Sequence, residues 1–154
     1  MMDAATAVAH VLADAGFQRV FRPRLPQSEA QNMPRTAIIV RRAGGGTLQQ
    51  GFMPTVDLTV DVRCYGANDV EASELGGQVA VLLHNLRDTT TPAGRIMWCR
   101  ASGVLSDQTE ASTGWPFTLQ TWQVYGPFAF QPDPDPPVPS GFGVEPFGLT
   151  DFGD

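Results

Sequence analysis

The chain has 154 residues, which is enough for one domain whose core folds without disulfides or metal ions. Its ten basic residues are all arginine, so a P-loop lysine, a Schiff-base lysine and a pyridoxal phosphate site are excluded. Charged residues make up 17% of the chain, below the usual quarter, which is typical of a surface partly covered by a partner.

The net charge of −6 lies almost entirely at the C-terminal end. Residues 1–130 carry ten arginines against eleven acidic residues, whereas residues 131–154 carry five acidic residues and no basic one. The nearly neutral body offers no strong electrostatic footprint for nucleic acid. No signal-peptide pattern and no run near the ~20 apolar residues of a membrane span is present, so we expect a cytosolic protein without a membrane partner.

The first predicted element is a helix over residues 3–15. Asp3 is a favourable N-cap, and Gly16 is placed to adopt the left-handed conformation that ends the helix, with Phe17 folding back on the last turn. An apolar stripe follows the helical spacing at Val8, Val11, Leu12 and Ala15.

Strands are predicted next, at residues 19–22 and 36–42, on either side of a loop with three prolines. The clearest strand covers residues 55–64, where apolar residues alternate with Asp57, Thr59, Asp61 and Arg63. This alternation predicts that one strand face lies on the core and the other is polar, as in an antiparallel sheet covered on one side.

A second helix is predicted after Tyr65, with Asn68 and Glu71 forming a variant of the capping box. Its apolar stripe consists of Leu75, Val79, Leu82, Leu83 and Leu86. Gly76 and Gly77 interrupt the helix at about 1 kcal/mol each relative to alanine, which indicates close approach of another backbone or a bend.

A turn at 88–94 then leads to strands at 95–105 and 117–130, the second with a possible break at Gly126-Pro127. A polar linker joins these two strands, which predicts a hairpin with a long loop. In the last strand, bulky residues occur at both odd and even positions and so lie on both faces. This indicates that each face is covered, the second one by the chain itself or by a neighbour. The element order predicts an α+β fold: an antiparallel or mixed four- to five-stranded sheet with two helices on one face.

Residues 131–154 are predicted to be an extended C-terminal arm, separate from the domain at 1–130. The arm begins with QPDPDPPVP, which favours polyproline II, and continues with Phe-Gly steps at Phe142, Phe147 and Phe152. Such a segment cannot build a core of its own. We interpret it as an arm whose phenylalanines dock on a partner, with a disordered tail as the alternative.

The residues able to carry chemistry form no catalytic or metal-binding pattern. His10 and His84 lie on predicted helices without a ligand at the spacing that zinc sites show. Cys64 and Cys99 lie in predicted strands, where thiols are usually reduced, buried and inert. We therefore predict no enzymatic activity, no metal and no cofactor.

Charged residues with no chemical role are candidates for contacts with partners. Asp57 and Asp61 share a strand face about 13 Å apart, too far for paired glycosidase carboxylates, so they belong to a solvated face or to the wall of an assembly. The arginine excess in the first 42 residues is interpreted as a dock for an acidic tail, with a nucleic-acid patch as the alternative. The candidate subunit or partner interface comprises Arg35, Arg41, Arg42, Asp57, Asp61, Trp122, Phe142, Phe147 and Phe152.

Four stretches carry a resemblance to a known family. They are IIVRR (38–42) before a glycine-rich turn, VDLTVDVRCYG (56–66), DVEA (69–72) at the start of a helix, and WQVY (122–125) in the closing hairpin. Together with the N-terminal helix, their order over residues 1–130 resembles the tail terminator proteins of long-tailed bacteriophages. The arm at 131–154 departs from that pattern.

The resemblance implies a structural virion protein that forms a homohexameric ring at the head-proximal end of the tail. Such a ring caps the tail tube protein and joins it to the neck or connector protein, and DNA passes through it without sequence-specific binding. Assembly takes place in the cytoplasm of the bacterial host. A ring needs two different complementary surfaces on each subunit, and we predict that deleting residues 131–154 leaves a folded domain but weakens assembly.

Three alternatives remain open. Within the same class, the chain is another head–tail connector or neck component. In a different class, it is a generic α+β ligand-binding module, which predicts a monomer or dimer with a pocket. A small hydrolase would need a cluster of polar residues that the sequence does not reveal.

Overall fold

The computed structural model describes residues 3–44, 47–49 and 55–127, and for residues 47–49 it describes the backbone alone. Within these ranges the fold is mixed α+β, as predicted. The helices are α1 (Ala4–Asp14), α2 (Gln27–Ala30) and α3 (Asp69–His84). The strands are β1 (Val20–Phe21), β2 (Ala37–Arg42), β3 (Thr47–Gln49), β4 (Thr55–Tyr65), β5 (Arg87–Thr91), β6 (Gly94–Ala101), β7 (Ser106–Thr109) and β8 (Pro116–Pro127).

The strands form one curled, mixed sheet in the order β1-β2-β4-β8-β6-β5, and β3 also pairs with β4 while β7 pairs with β8. The two central strands, β4 and β8, are antiparallel over their whole length, from Thr55 opposite Pro127 to Tyr65 opposite Phe117. Among the described pairs, β1 with β2 is parallel and the others are antiparallel. β4 and β8 therefore form the rigid centre on which the two faces of the sheet are built.

The alternation along β4 decides which face of the sheet becomes the main core. Its apolar residues are at most 2% exposed, and the residues between them are half-buried on the opposite face. The apolar faces of α1 and α3 pack against this side, which confirms that the two predicted helices share one face. Burial of each such aliphatic side chain contributes about 1.5–3 kcal/mol. The β4 residues in the main core are Val56, Leu58, Val60, Val62 and Cys64.

Helix α1 begins and ends as its sequence predicts. The Asp3 carboxylate accepts hydrogen bonds from the backbone N–H and the hydroxyl of Thr6. At the other end Gly16 has a φ of +101°, and its N–H donates to the Ala13 carbonyl. The Phe17 N–H donates to the Leu12 carbonyl, which completes a Schellman motif. The side chain of Phe17 then packs on the main core.

Helix α3 lies against β8 at a glycine. The Asn68 side chain accepts from the Glu71 N–H at 2.9 Å, which confirms the predicted cap. A side chain at Gly76 would collide with the Thr118 hydroxyl on β8, whereas a side chain at Gly77 would meet nothing within 4 Å. Gly76 therefore allows the predicted close approach, which is that of α3 to β8, whereas Gly77 has no such role.

The sheet has more strands than the four or five predicted, because short polar strands carry no apolar period. β5 occupies most of the predicted turn at 88–94, and β7 lies in the predicted polar linker. β8 continues through Gly126 without a break, so that prediction was wrong. Residues 128–130 of the predicted last strand, and all of the predicted arm, lie outside the described residues.

Candidate functional site

The face of the sheet opposite α1 and α3 is polar along most of its length. On β4 it presents Asp57 and Asp61, and on β8 it presents Thr121, which donates its hydroxyl hydrogen to Asp61 Oδ1 at 2.7 Å. Near the far end, Trp98 of β6 stacks on Tyr125 of β8 with ring centroids 4.8 Å apart. Trp98 is 39% exposed, so this face offers an aromatic surface as well as polar groups.

At its other end the same face carries a second apolar cluster, which we call the loop-side cluster. The rings of Tyr65 and Phe117 lie 5.2 Å apart, and Trp115 meets Tyr65 edge-to-face at 6.3 Å. The loop between β1 and β2 covers these rings. The buried members of the cluster are Ala37, Ile39, Tyr65 and Phe117, and partly buried members are Phe21, Leu25, Met33, Trp115 and Leu119.

A cleft of about 330 Å³ opens beside the loop-side cluster. Its apolar surface comes from Leu25, Ile39, Tyr65 and Trp115, together with Pro23 and Ala30. Its charged residues are Arg24, Arg41, Arg63, Asp61 and Glu110. We call this feature the arginine cleft. An apolar floor with a few charged groups around it is the usual composition of a binding site for a small molecule or a single side chain.

Arg63 is the most unusual residue of the arginine cleft. Its guanidinium lies 5.0 Å from the centre of the Phe117 ring, while its Nε is buried and makes no hydrogen bond with any described residue. None of the salt bridges within the described ranges includes Arg63. The guanidinium also interacts favourably with the Tyr65 side chain, which lowers the pKa of Tyr65 against the effect of burial. The positive charge therefore rests against two aromatic residues and has no acidic partner in the described ranges.

The two carboxylates of the cleft already have donors. Asp61 accepts from Thr121, and its Oδ2 lies 4.0 Å from Nη2 of Arg41, which stands opposite it on β2. Glu110 Oε1 accepts from Thr113 at 3.2 Å and from the Tyr65 hydroxyl at 3.5 Å. Burial raises the pKa of Tyr65, so its hydroxyl remains protonated as a donor. The cleft therefore has an excess of cationic groups toward an incoming ligand.

One ion pair fastens the loop that walls the cleft. Arg19 donates from Nη2 and Nε to Glu29 Oε1 at 2.8 and 3.2 Å, and from Nη1 to the Thr36 carbonyl at 2.7 Å. Arg19 adopts a φ of +56°, which is uncommon for a residue with a side chain. The hydrogen bond from Arg19 holds the pKa of Glu29 below its ordinary value. These contacts attach α2 to the sheet edge and so shape the cleft.

The two thiols lie on the helix-covered face, away from the cleft. Cys64 and Cys99 are free and buried, as the sequence predicted. Burial raises the pKa of each to about 12, so neither is a thiolate near neutral pH. Neither thiol is therefore available as a nucleophile in the folded chain.

The predicted interface residues do not all come together. Arg41 and Asp61 face each other at the arginine cleft. Arg42 is exposed on β2 and donates to the Gly44 carbonyl at 3.1 Å, and Arg35 is exposed in the covering loop. Asp57 lies on the polar face of β4, beyond the cleft. Phe142, Phe147 and Phe152 lie outside the described residues.

For Trp122 the structure corrects the expectation of a partner contact. Trp122 is 2% exposed and belongs to the main core beneath the helices. Both faces of β8 do carry bulky residues, and its own chain covers Trp122 on one face and Phe117 on the other. Trp122 is therefore a core residue and offers no surface to a neighbour.

Sequence reasoning missed the residues that make the cleft specific: Arg63, Tyr65, Glu110 and Trp115. Arg63 was expected on the plain polar face of β4, and Tyr65 was interpreted only as the residue at which that strand ends. The three aromatic residues Tyr65, Trp115 and Phe117 are a usable signal, because aromatic side chains at a strand end favour a second cluster. Their meeting depends on the β4–β8 register, which the sequence does not specify.

A scan against models of known protein families and a search of curated proteins found no match to this chain. Within the described residues, no group of three or more histidines, cysteines and carboxylates is placed to hold a metal ion. Among the described helices, none is both long and apolar enough to cross a membrane.

Proposed function

We propose that the chain is a structural subunit of a virion, which assembles head-to-tail into a ring that caps the tail tube of a long-tailed bacteriophage and joins it to the neck. The proposal includes a homohexamer at the head-proximal end of the tail, DNA passing through the ring without base recognition, and no enzymatic activity. This kind of assembly is named because the order of elements over residues 1–130 resembles that of tail terminator proteins.

The observation that carries the proposal is the difference between the two faces of the sheet. Helices α1 and α3 cover one face, while the other presents Asp57, Asp61, Trp98 and Tyr125 beside the arginine cleft. A subunit of a head-to-tail ring needs two unlike surfaces that complement each other. One broad polar and aromatic face with a cationic cleft supports this role better than it supports catalysis, since both thiols are buried.

Imaging of the purified full-length protein tests the proposal directly. Mass photometry is expected to give a species of six chains, and negative-stain images are expected to show rings with a central opening. Added to growing tail tubes, the protein is expected to stop their elongation. A stable monomer at micromolar concentration that neither forms rings nor binds tube ends would contradict the proposal.

The arginine cleft favours one other candidate from a different class, an α+β module that binds a small anionic ligand. Its volume of about 330 Å³ is at the lower end of the range of small-molecule pockets. This candidate predicts a monomer or dimer whose melting temperature rises when an aromatic carboxylate is added. Ring formation without such a rise in melting temperature would favour the structural role. Within that role, the remaining alternative is another neck or connector component.

A further inference from the structure

The structure assigns to the arginine cleft a protein ligand: we propose that the acidic Phe-Gly arm, residues 140–154, of a neighbouring copy binds there. The inference rests on the self-assembly part of the proposed function and names the contact that would mediate it. Four observations carry it: the size of the cleft, its charge, the composition of the arm and the place where the chain leaves the sheet.

The cleft matches one aromatic side chain with its neighbouring backbone. Trp115 and Leu25 are partly buried and offer ring and aliphatic surface, while the buried Tyr65 and Ile39 form the floor beneath them. A phenylalanine that enters would meet aromatic and aliphatic groups already packed in the loop-side cluster. The glycine after each phenylalanine of the arm lets the backbone approach the cleft closely, because it adds no side chain.

The charges of the cleft and the arm are opposite. Arg24 is exposed at the cleft and Arg63 has no acidic partner among the described residues, while Asp61 and Glu110 already accept hydrogen bonds. Residues 140–154 carry Glu145, Asp151 and Asp154 and no basic residue. A carboxylate beside an inserted ring would meet a guanidinium in a partly desolvated site, where ion pairing is stronger than on an open surface.

The direction of β8 favours a cleft on another copy over the chain's own cleft. Phe117 lies at the cleft end of the strand, and the chain leaves β8 at Pro127, ten residues and about 33 Å away. The next stretch, 131–139, contains five prolines, a composition that favours a stiff, extended segment rather than a reversal. A stiff segment attached at this far end favours contact with a neighbouring copy over a return to the chain's own cleft, and such a contact is head-to-tail.

Mixing two full-length variants tests the contact in trans. The arm variant carries Phe142→Ser, Phe147→Ser and Phe152→Ser, and the cleft variant carries Arg24→Glu with Arg41→Gln. In sedimentation experiments each variant alone is expected to associate at least tenfold more weakly than wild type, and an equimolar mixture is expected to recover dimers. A matched control, Arg95→Glu with Arg87→Gln on the paired strands β5 and β6 at the opposite edge of the sheet, is expected to stay within twofold of wild type. A mixture no better than its components would overturn the inference.

A peptide measurement separates this inference from the proposed function. A fluorescent peptide of residues 140–154 is added to the full-length arm variant, and its anisotropy reports binding whatever the oligomeric state. Binding is expected, at least tenfold weaker when Arg24→Glu is also present and weaker again at high salt. A scrambled peptide is the control. Rings without peptide binding at the cleft would overturn the inference and leave the proposed function intact. Peptide binding without rings would contradict the proposed function and leave the inference intact.

Discussion

The Arg63 guanidinium and the Phe117 ring, 5.0 Å apart, are diagonal neighbours on the central strand pair. Arg63 stands directly opposite Leu119 on β8, and Phe117 is two residues further along the same strand face. The ring faces a cation whose Nε has no hydrogen-bond acceptor among the described residues. The chain therefore holds a positive charge beside an aromatic group at the edge of a cleft.

Replacing this arginine is expected to change folding stability little. In Arg63→Met a cation–π contact of about 0.5–2 kcal/mol and the interaction with the Tyr65 side chain are lost, but a buried unsatisfied donor that costs about 1–3 kcal/mol is also removed. We expect a free energy of unfolding within about 1 kcal/mol of wild type by urea titration. Arg19→Met is the matched control, because it deletes three hydrogen bonds and is expected to lower the free energy of unfolding more than Arg63→Met does. Equal losses of unfolding free energy in both variants would contradict the prediction that Arg63 contributes little to folding stability.

The glycine pair of α3 supplies a prediction with an internal control. Gly76→Ala is expected to destabilise by about 1–3 kcal/mol, because its methyl group collides with the Thr118 hydroxyl. Gly77→Ala meets open space and is expected to stabilise by about 1 kcal/mol through helix propensity. Thermal or urea unfolding measures both.

A double substitution checks the cause of the Gly76 effect. Adding Thr118→Ala removes the hydroxyl that causes the collision, so it is expected to cost less in the Gly76→Ala background than in wild type. Strict additivity of the two substitutions would mean that the helix and β8 do not touch at this point.

The Arg19–Glu29 pair predicts a pH dependence of stability. The pKa of Glu29 is lowered in the folded chain by the hydrogen bond from Arg19, so its contribution is present above the ordinary value of 4.5 and is lost as pH falls through the lowered value. The melting temperatures of wild type and Glu29→Gln are expected to differ near pH 7 and to converge in acid. Glu74→Gln on α3 is the control, and a gap as large at low pH as at neutral pH would refute the assignment.

The buried thiols predict slow chemical modification. Because the pKa of Cys64 and of Cys99 is raised to about 12 by burial, neither is expected to react with a disulfide reagent at pH 8 in the folded protein. Both are expected to react within minutes in denaturant. Mass spectrometry after timed labelling counts the modified thiols, and rapid labelling of either thiol without denaturant would show that the helix-covered face opens readily.

Local signals predicted the elements that have strong local chemistry. The caps at Asp3, Gly16 and Asn68, and the alternation of β4, each follow from interactions between residues a few positions apart. Strands β5 and β7 were missed because their polar residues become ordered only by pairing with β6 and β8. The same limit applies to the cleft, whose walls come from residues 23–30, 39–41, 61–65 and 110–115.

Trp122 shows how a correct pattern can lead to a wrong role. Its strand is apolar at both parities, which correctly indicated cover on two faces. The sequence could not distinguish cover by the chain's own helices from cover by a neighbour, because side-chain chemistry is the same in both cases. In contrast, Arg41 and Asp61 were chosen for their exposed charge, and the register places them opposite each other.

The position of β8 in the sheet has a consequence for synthesis of the chain. β8 is the last described strand in sequence, yet it lies between β4 on one side and β6 and β7 on the other. Until residue 127 has emerged from the ribosome, β4 and β6 each keep an unpaired edge that invites pairing with another nascent chain. The strands β1–β4 and the pair β5–β6 can form without β8, but the two halves of the sheet are joined only when β8 is available. Premature termination before residue 116 therefore leaves an aggregation-prone product.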